Sequence, residues 1–136
     1  AGSVLDDVPL ALTALSRAAK LQKRAAGEGF DWPDVAGVSA KVDEELGELR
    51  AALADRDKAA VEEEYGDLLF TLVNLARHLE LNPETALRAA NNKFEKRFRA
   101  MEDLVRREGR VMRELDDAQL DEYWNKVKAN DGRSSA

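Results

Sequence analysis

Two short acidic runs in this 136-residue chain have residue types and spacing that can do chemistry. The first is Lys41-Val42-Asp43-Glu44-Glu45-Leu46-Gly47-Glu48, and the second is Glu62-Glu63-Glu64-Tyr65-Gly66-Asp67. Glu45 and Glu48 are three residues apart, and so are Glu64 and Asp67. On a helix that spacing puts both carboxylates of a pair on one face, about one turn apart. Fifteen residues lie between Glu48 and Glu64, enough for one helix to end and a second to return antiparallel beside it. Four converging carboxylates would push one another toward protonation. A hard divalent cation relieves that conflict, and Mg²⁺ takes oxygen ligands while keeping positions for water and substrate phosphates. The pattern therefore points to a carboxylate-only Mg²⁺ site, with Mn²⁺ as the alternative ion, made by Glu45, Glu48, Glu64 and Asp67. For any single glutamate a plain solvated charge is the better reading, and both readings stay open for the adjacent Glu44 and Glu63.

A cation held this way usually clamps substrate phosphates and activates water. Phosphates also need positive charge on their far side. Lys93 and Arg97, four apart on a strongly basic stretch with Arg88, Lys96 and Arg99, can supply it, or can be a basic surface strip. Lys41, one turn before Glu45, can reach the same anion or soften the carboxylate repulsion. Trp32 and Trp124 can stack on a nucleobase, although tryptophan is more often core, and core is the preferred reading for Trp32. His78 is the only histidine and lies too far beyond Asp67 to share a metal with it. A lone histidine also excludes the di-iron pattern of two Glu-x-x-His motifs.

The elements that must position these groups read as helices throughout. A lead over residues 1–8 is expected to be flexible. A first helix is expected over about 9–26, with Pro9 in its first turn and Gly27 and Gly29 ending it. The next begins between Pro33 and Ser39 and runs to about Ala54, with the stripe Val38, Val42, Leu46, Leu49, Leu53 and the carboxylates beside it. After the turn Asp55-Arg56-Asp57 comes a helix over about 58–80. It has an apolar stripe Val61, Tyr65, Leu68, Leu72, Leu75, Leu79 and a polar stripe Glu64, Asp67, Thr71, Asn74, His78. Leu69, Phe70 and Val73 make it apolar on most sides, which predicts cover on both flanks, one of them from a second subunit. Asn82-Pro83 restarts the chain as a helix to about residue 107. Asp116 and Gln119 have capping-box spacing for a last short helix, and a disordered tail is expected over 130–136. The fold expected is all-α: an antiparallel bundle of about five helices completed by dimerisation, in one domain over 9–129.

Composition narrows the partners. The net charge of -6 argues against nucleic acid or an anionic membrane as the main partner. No apolar run approaches the roughly 20 residues of a membrane span. The chain has no cysteine, which excludes disulfides and thiolate metal sites and fits a reducing compartment. With no secretory pattern at its start, a cytoplasmic setting is expected.

Glu44-Glu45-Leu46-Gly47-Glu48 followed by Glu64-Tyr65-Gly66-Asp67 resembles the EExxE…ExxD pattern of the all-α nucleoside triphosphate pyrophosphohydrolases, and of the MazG family in particular. Lys23-Arg24-Ala25-Ala26 with Gly29-Phe30-Asp31-Trp32 resembles the family's entry segment. Gly66-Asp67-Leu68-Leu69-Phe70 with Val73-Asn74-Leu75-Ala76-Arg77-His78 resembles its second metal helix, and Asn92-Lys93-Phe94 with Arg97-Phe98 its phosphate-binding stretch. The resemblance covers about residues 4–129 and is greatest to the C-terminal domain of two-domain members. It implies Mg²⁺-dependent hydrolysis of nucleoside triphosphates to monophosphate and pyrophosphate with broad base tolerance, by a homodimer. It implies metal ligation by Glu45, Glu48, Glu64 and Asp67; the paired spacing itself suggests Glu44 or Glu48 as the group that takes a proton from metal-bound water. It places Lys41, Glu63, Lys93, Arg97 and Trp124 around the nucleotide, which favours Trp124 over Trp32 as the base neighbour. The alternatives are a narrower all-α dUTPase-like enzyme, a domain that binds nucleotide without turnover, and a non-catalytic helical dimerisation module.

Overall fold

The computed structural model describes residues 2–131. Among them the regular elements are helical: α1 (Ala14–Gly27), α2 (Val35–Asp55), α3 (Lys58–His78), α4 (Pro83–Arg107), a single 3-10 turn (Met112–Glu114) and α5 (Asp117–Asn130). The chain forms two compact units, one up to Ala86 and one from Leu87 onward.

In the first unit α2 and α3 pack along each other, and α1 packs on α3. The boundaries follow local chemistry. The Asp34 carboxylate accepts from the Gly37 amide and starts α2, and the Asp57 carboxylate accepts from the Ala60 amide and starts α3. Between them Arg56 takes a left-handed conformation (φ 56°), which reverses the chain in two residues. That short reversal makes the two long helices neighbours.

α1 begins at Ala14, five residues later than its periodicity suggests. Thr13 is extended (φ -60°, ψ 156°) and donates its hydroxyl to Glu84, so the chain enters the helix only after it. The lead is turned back on α1: the Val8 amide bonds the Leu5 carbonyl, Val8 is buried, and Asp7 pairs with Arg24. The connection before α2 is latched to the end of α3. Arg77 donates to Asp31 at 2.6 Å and His78 Nε2 lies 2.9 Å from the same oxygen. The Arg77 guanidinium first, with His78 adding, lowers the Asp31 carboxyl to about 2. Trp32 is not core: it keeps 40% exposure and lies where a side chain at Gly37 would meet it, 3.2 Å from a Cβ placed there.

α3 buries a different face from the one its apolar stripe suggests. The buried residues are Thr71, Val73 and Asn74, while Tyr65, Leu69, Phe70, Leu72 and Leu79 are exposed, Tyr65 by 54%. Thr71 donates to the Asp67 carbonyl, Asn74 accepts from Arg77, and Gln22 of α1 donates to the Phe70 carbonyl at 2.8 Å. Thr71 and Asn74 are thus satisfied within the unit, and a large apolar face is left outward.

In the second unit Met101 and Val105 of α4 pack on Tyr123 and Val127 of α5, with Leu104, Met112, Leu115, Leu120 and Trp124 around them. The capping box forms as its spacing implies: Asp116 accepts from the Gln119 amide at 2.8 Å and Gln119 accepts from the Asp116 amide at 2.9 Å. Asn130 closes α5 rather than opening a tail, and residues 132–136 lie outside the described residues.

Candidate metal centre

The reversal at Arg56-Asp57 sets the level of the acidic residues. Glu48 lies seven residues before the end of α2 and Glu64 six after the start of α3, so they come to the same height. Glu45 and Asp67 are each one turn further from the reversal. Glu45, Glu48 and Glu64 each offer one carboxylate oxygen within 4.8 Å of the other two.

Their environments differ. Glu45 is buried at 6% exposure, Glu64 is half-buried and Glu48 is exposed. Oε2 of Glu45 and Oε2 of Glu64 are both sealed from solvent with no hydrogen-bond partner. A buried carboxylate oxygen without a partner is costly. The nearest positive charge is Lys41, 3.0 Å from Oε1 of Glu45 and 3.3 Å from Glu44. Glu45 foremost, with Glu44 adding, raises the ammonium above its ordinary value. Glu48 is raised as well, by sharing a proton with Glu64 first and by the charge of Glu45 next. One lysine does not balance three clustered carboxylates. Hard oxygen donors, two of them orphaned and aimed inward, suit a small divalent cation. Glu45, Glu48 and Glu64 are the residues that could hold it.

Asp67 is exposed, stands outside this group of three, and uses its carbonyl to accept from Thr71. Glu63 and Glu44 are exposed, and Glu44 is engaged with Lys41. In the second unit Lys93 is exposed on α4. Arg97 is buried at 3% exposure and its Nε donates to Asp131 at 2.6 Å. Trp124 is half-buried and tilted against Phe94, with ring centroids 5.6 Å apart. The periodicity of α2 does signal Glu45 as a residue beside the apolar seam, but not that it is sealed. Asp131 gave no signal at all.

Comparison with known sequences decides the family. Residues 28–101, which hold both acidic motifs and the Lys93–Arg97 stretch, match the MazG nucleotide pyrophosphohydrolase domain. The chain belongs to the MazG family. It is 50% identical over 118 residues to the nucleoside triphosphate pyrophosphohydrolase/pyrophosphatase MazG of Thermotoga maritima, covering 87% of this chain and 45% of that protein. It is 50% identical over 128 residues to the nucleoside triphosphate pyrophosphohydrolase of Escherichia coli K12, covering 93% of this chain and 49% of that protein. It is 42% identical over 133 residues to the uncharacterized protein YabN of Bacillus subtilis, covering 27% of that protein. This MazG domain thus spans about half the length of the two pyrophosphohydrolases it matches.

Proposed function

We propose that this MazG domain hydrolyses nucleoside triphosphates to the monophosphate and pyrophosphate, with Mg²⁺ at Glu45, Glu48 and Glu64 and with Asp67 as a further ligand. The observation that carries this is the pair of sealed, unpartnered oxygens on Glu45 and Glu64 beside Glu48. When bound, the cation supplies charge to the triphosphate oxygens and lowers the pKa of water.

The protein's own groups do the rest. Glu48, the exposed member of the cluster, is the group placed to accept a proton from water. Glu44, engaged with Lys41, keeps that lysine beside the cluster. Lys41 sits where it can meet an anionic substrate. Lys93 and Arg97 take the phosphate charge and Trp124 the base, roles supported by the family's motifs. Broad base tolerance is the expected specificity, a reading supported by the resemblance of the acidic motifs to those of the family. The enzyme works in the cytoplasm as a homodimer, a reading supported by the outward apolar face of α3.

The test is a panel of nucleoside triphosphates, canonical and modified, incubated with Mg²⁺ and resolved into products. Monophosphate and pyrophosphate are expected. Glu64→Gln should reduce pyrophosphate release by about 10²-fold or more. Near-normal release by that variant at saturating Mg²⁺ would remove the assignment.

A further inference from the structure

A groove lined by none of the acidic cluster runs along α1 in the first unit. One wall is a single face of that helix, Ser16, Ala19, Lys20 and Lys23, with Leu12 just before its start. The other wall is the stretch that leaves α3 and enters α4, from Arg77 through Glu80 and Leu81 to Pro83. Its volume, about 840 Å³, falls in the range of ligand pockets, roughly 300–1,000 Å³. The walls are tied together at two levels. Gln22 donates to the Phe70 carbonyl at one, and Thr13 and Ser16 donate to Glu84 at the other.

These ties run α1 against α3 and give the groove two unlike ends. Leu12, Leu81 and Pro83 gather at the start of α1, and the cations lie toward its end. α1 carries Arg17, Lys20, Lys23 and Arg24 and no acidic residue, in a chain of net charge -6. Arg24 is committed to Asp7 and Arg77 to Asp31. Lys20 and Lys23 stand outside those pairs, exposed and one turn apart on the face that lines the groove. Two ammonium groups so spaced suit one phosphate.

Glu80 is a second and independent mark. α1, α3 and α4 end in the same pair of backbone bonds. After α1 the Gly29 amide bonds Ala26 and the Phe30 amide Ala25; after α4 Gly109 bonds Arg106 and Arg110 bonds Val105. After α3 the Glu80 amide bonds Arg77 and the Leu81 amide Ala76. The pivotal residue is left-handed each time, with φ 90° at Gly29, 71° at Gly109 and 58° at Glu80. Glycine takes that conformation without steric cost, and a residue with a side chain does not. Of these three ends, the one beside the groove is the one that carries a carboxylate. The strained position puts a hydrogen-bond acceptor on the wall that faces the lysines.

We propose that this groove binds a small organic phosphate. Lys20 and Lys23 hold the phosphate, the Glu80 carboxylate accepts from an N–H or O–H of the ligand, and Leu12, Leu81 and Pro83 cover its apolar body. Cations alone would take any anion; the carboxylate and the apolar end select one that also carries a donor and a nonpolar ring. A nucleoside monophosphate has all three features. The binding requires neither a metal nor turnover, so it is tested apart from the hydrolase reading.

Adenosine monophosphate and inorganic phosphate are the probes, titrated calorimetrically into the protein with a chelator present. Wild type should bind the nucleotide saturably, and phosphate about tenfold more weakly. Replacing both lysines, Lys20→Ala with Lys23→Ala, should weaken nucleotide binding about tenfold or more at an unchanged melting temperature. Glu80→Gly should weaken the nucleotide about threefold or more without weakening phosphate. Its melting temperature should hold or rise, because glycine suits the left-handed position, so loss of fold cannot produce that result. Glu64→Gln should bind the nucleotide as wild type does. The proposal is overturned by an absence of saturable nucleotide binding at millimolar concentration, or by equal affinity for the two probes. It is likewise overturned if Glu64→Gln abolishes binding, or if either the lysine pair or Glu80 can be replaced without effect.

Discussion

At the scale of single residues, the charge conflict in this molecule is concentrated on Glu48. Its proton affinity is raised by Glu64 and then by Glu45. A carboxylic acid whose folded-state pKa is raised favours the fold in its protonated form. That contribution is fully present below the ordinary value of 4.5 and is lost as pH rises through the raised value. Near neutral pH the metal-free protein therefore carries an unrelieved repulsion, and a divalent cation should relieve it. We expect Mg²⁺ to raise the melting temperature at pH 7 and to do little at pH 4. Glu48→Gln should raise the metal-free melting temperature at pH 7 and shrink the gain from Mg²⁺, both measurable by scanning fluorimetry. An equal Mg²⁺ gain at both pH values would contradict the cluster's role. The spacing of Glu45 and Glu48 was legible because it is a property of one helical turn, and Glu64 joins them because the short reversal at Arg56 makes α2 and α3 neighbours. That Glu45 is sealed and Glu48 open was not, because it depends on which side of α2 meets α3.

At the scale of elements, α2 and α3 each carry a glycine just before the last carboxylate of the motif, Gly47 and Gly66. A side chain at either would meet nothing within 4 Å. Close packing within the chain therefore does not account for Gly47, whose place mid-helix costs about 1 kcal/mol relative to alanine. Gly47→Ala should stabilise the protein by about 1 kcal/mol in a denaturant titration. A loss of turnover with that gain in stability would place substrate or a second subunit in the space the glycine leaves. α1 teaches a related lesson. Its periodicity allows an earlier start, but Thr13 is drawn to Glu84, 71 residues away, and only the fold brings that partner near. The caps Asp57 and Asp116 lie where reading suggests, and Asp34 settles the start that periodicity left open between Pro33 and Ser39; each accepts from an amide three residues on.

At the scale of the whole molecule, the outward face of α3 matters most. Tyr65, Leu69, Leu72 and Leu79 are all exposed and share one helical face. A contiguous apolar face of this kind usually marks an interface. We expect a dimer by sedimentation or light scattering, and Leu72→Glu should shift it to monomer without loss of helical content by circular dichroism. A wild-type monomer at micromolar concentration would remove the dimer reading. Sequence periodicity predicted cover on both flanks of α3, one of them from a second subunit, without saying which face each would take. In the structure, the neighbouring stripe with Thr71 and Asn74 is inside instead, its polar groups satisfied by Arg77 and by the helix backbone.

Helix type, helix number, caps and the rhythm of the acidic residues all arise from interactions reaching one or two turns along the chain, so the order of amino acids was enough to establish them. Three things depended on distant partners: the sealing of Glu45, the outward face of α3, and the capture of Arg97 by Asp131 from 34 residues away. Each is a choice among faces of a helix that are nearly equivalent locally. Only packing of one helix against another makes them unequal, by removing water from one face and leaving it on the next.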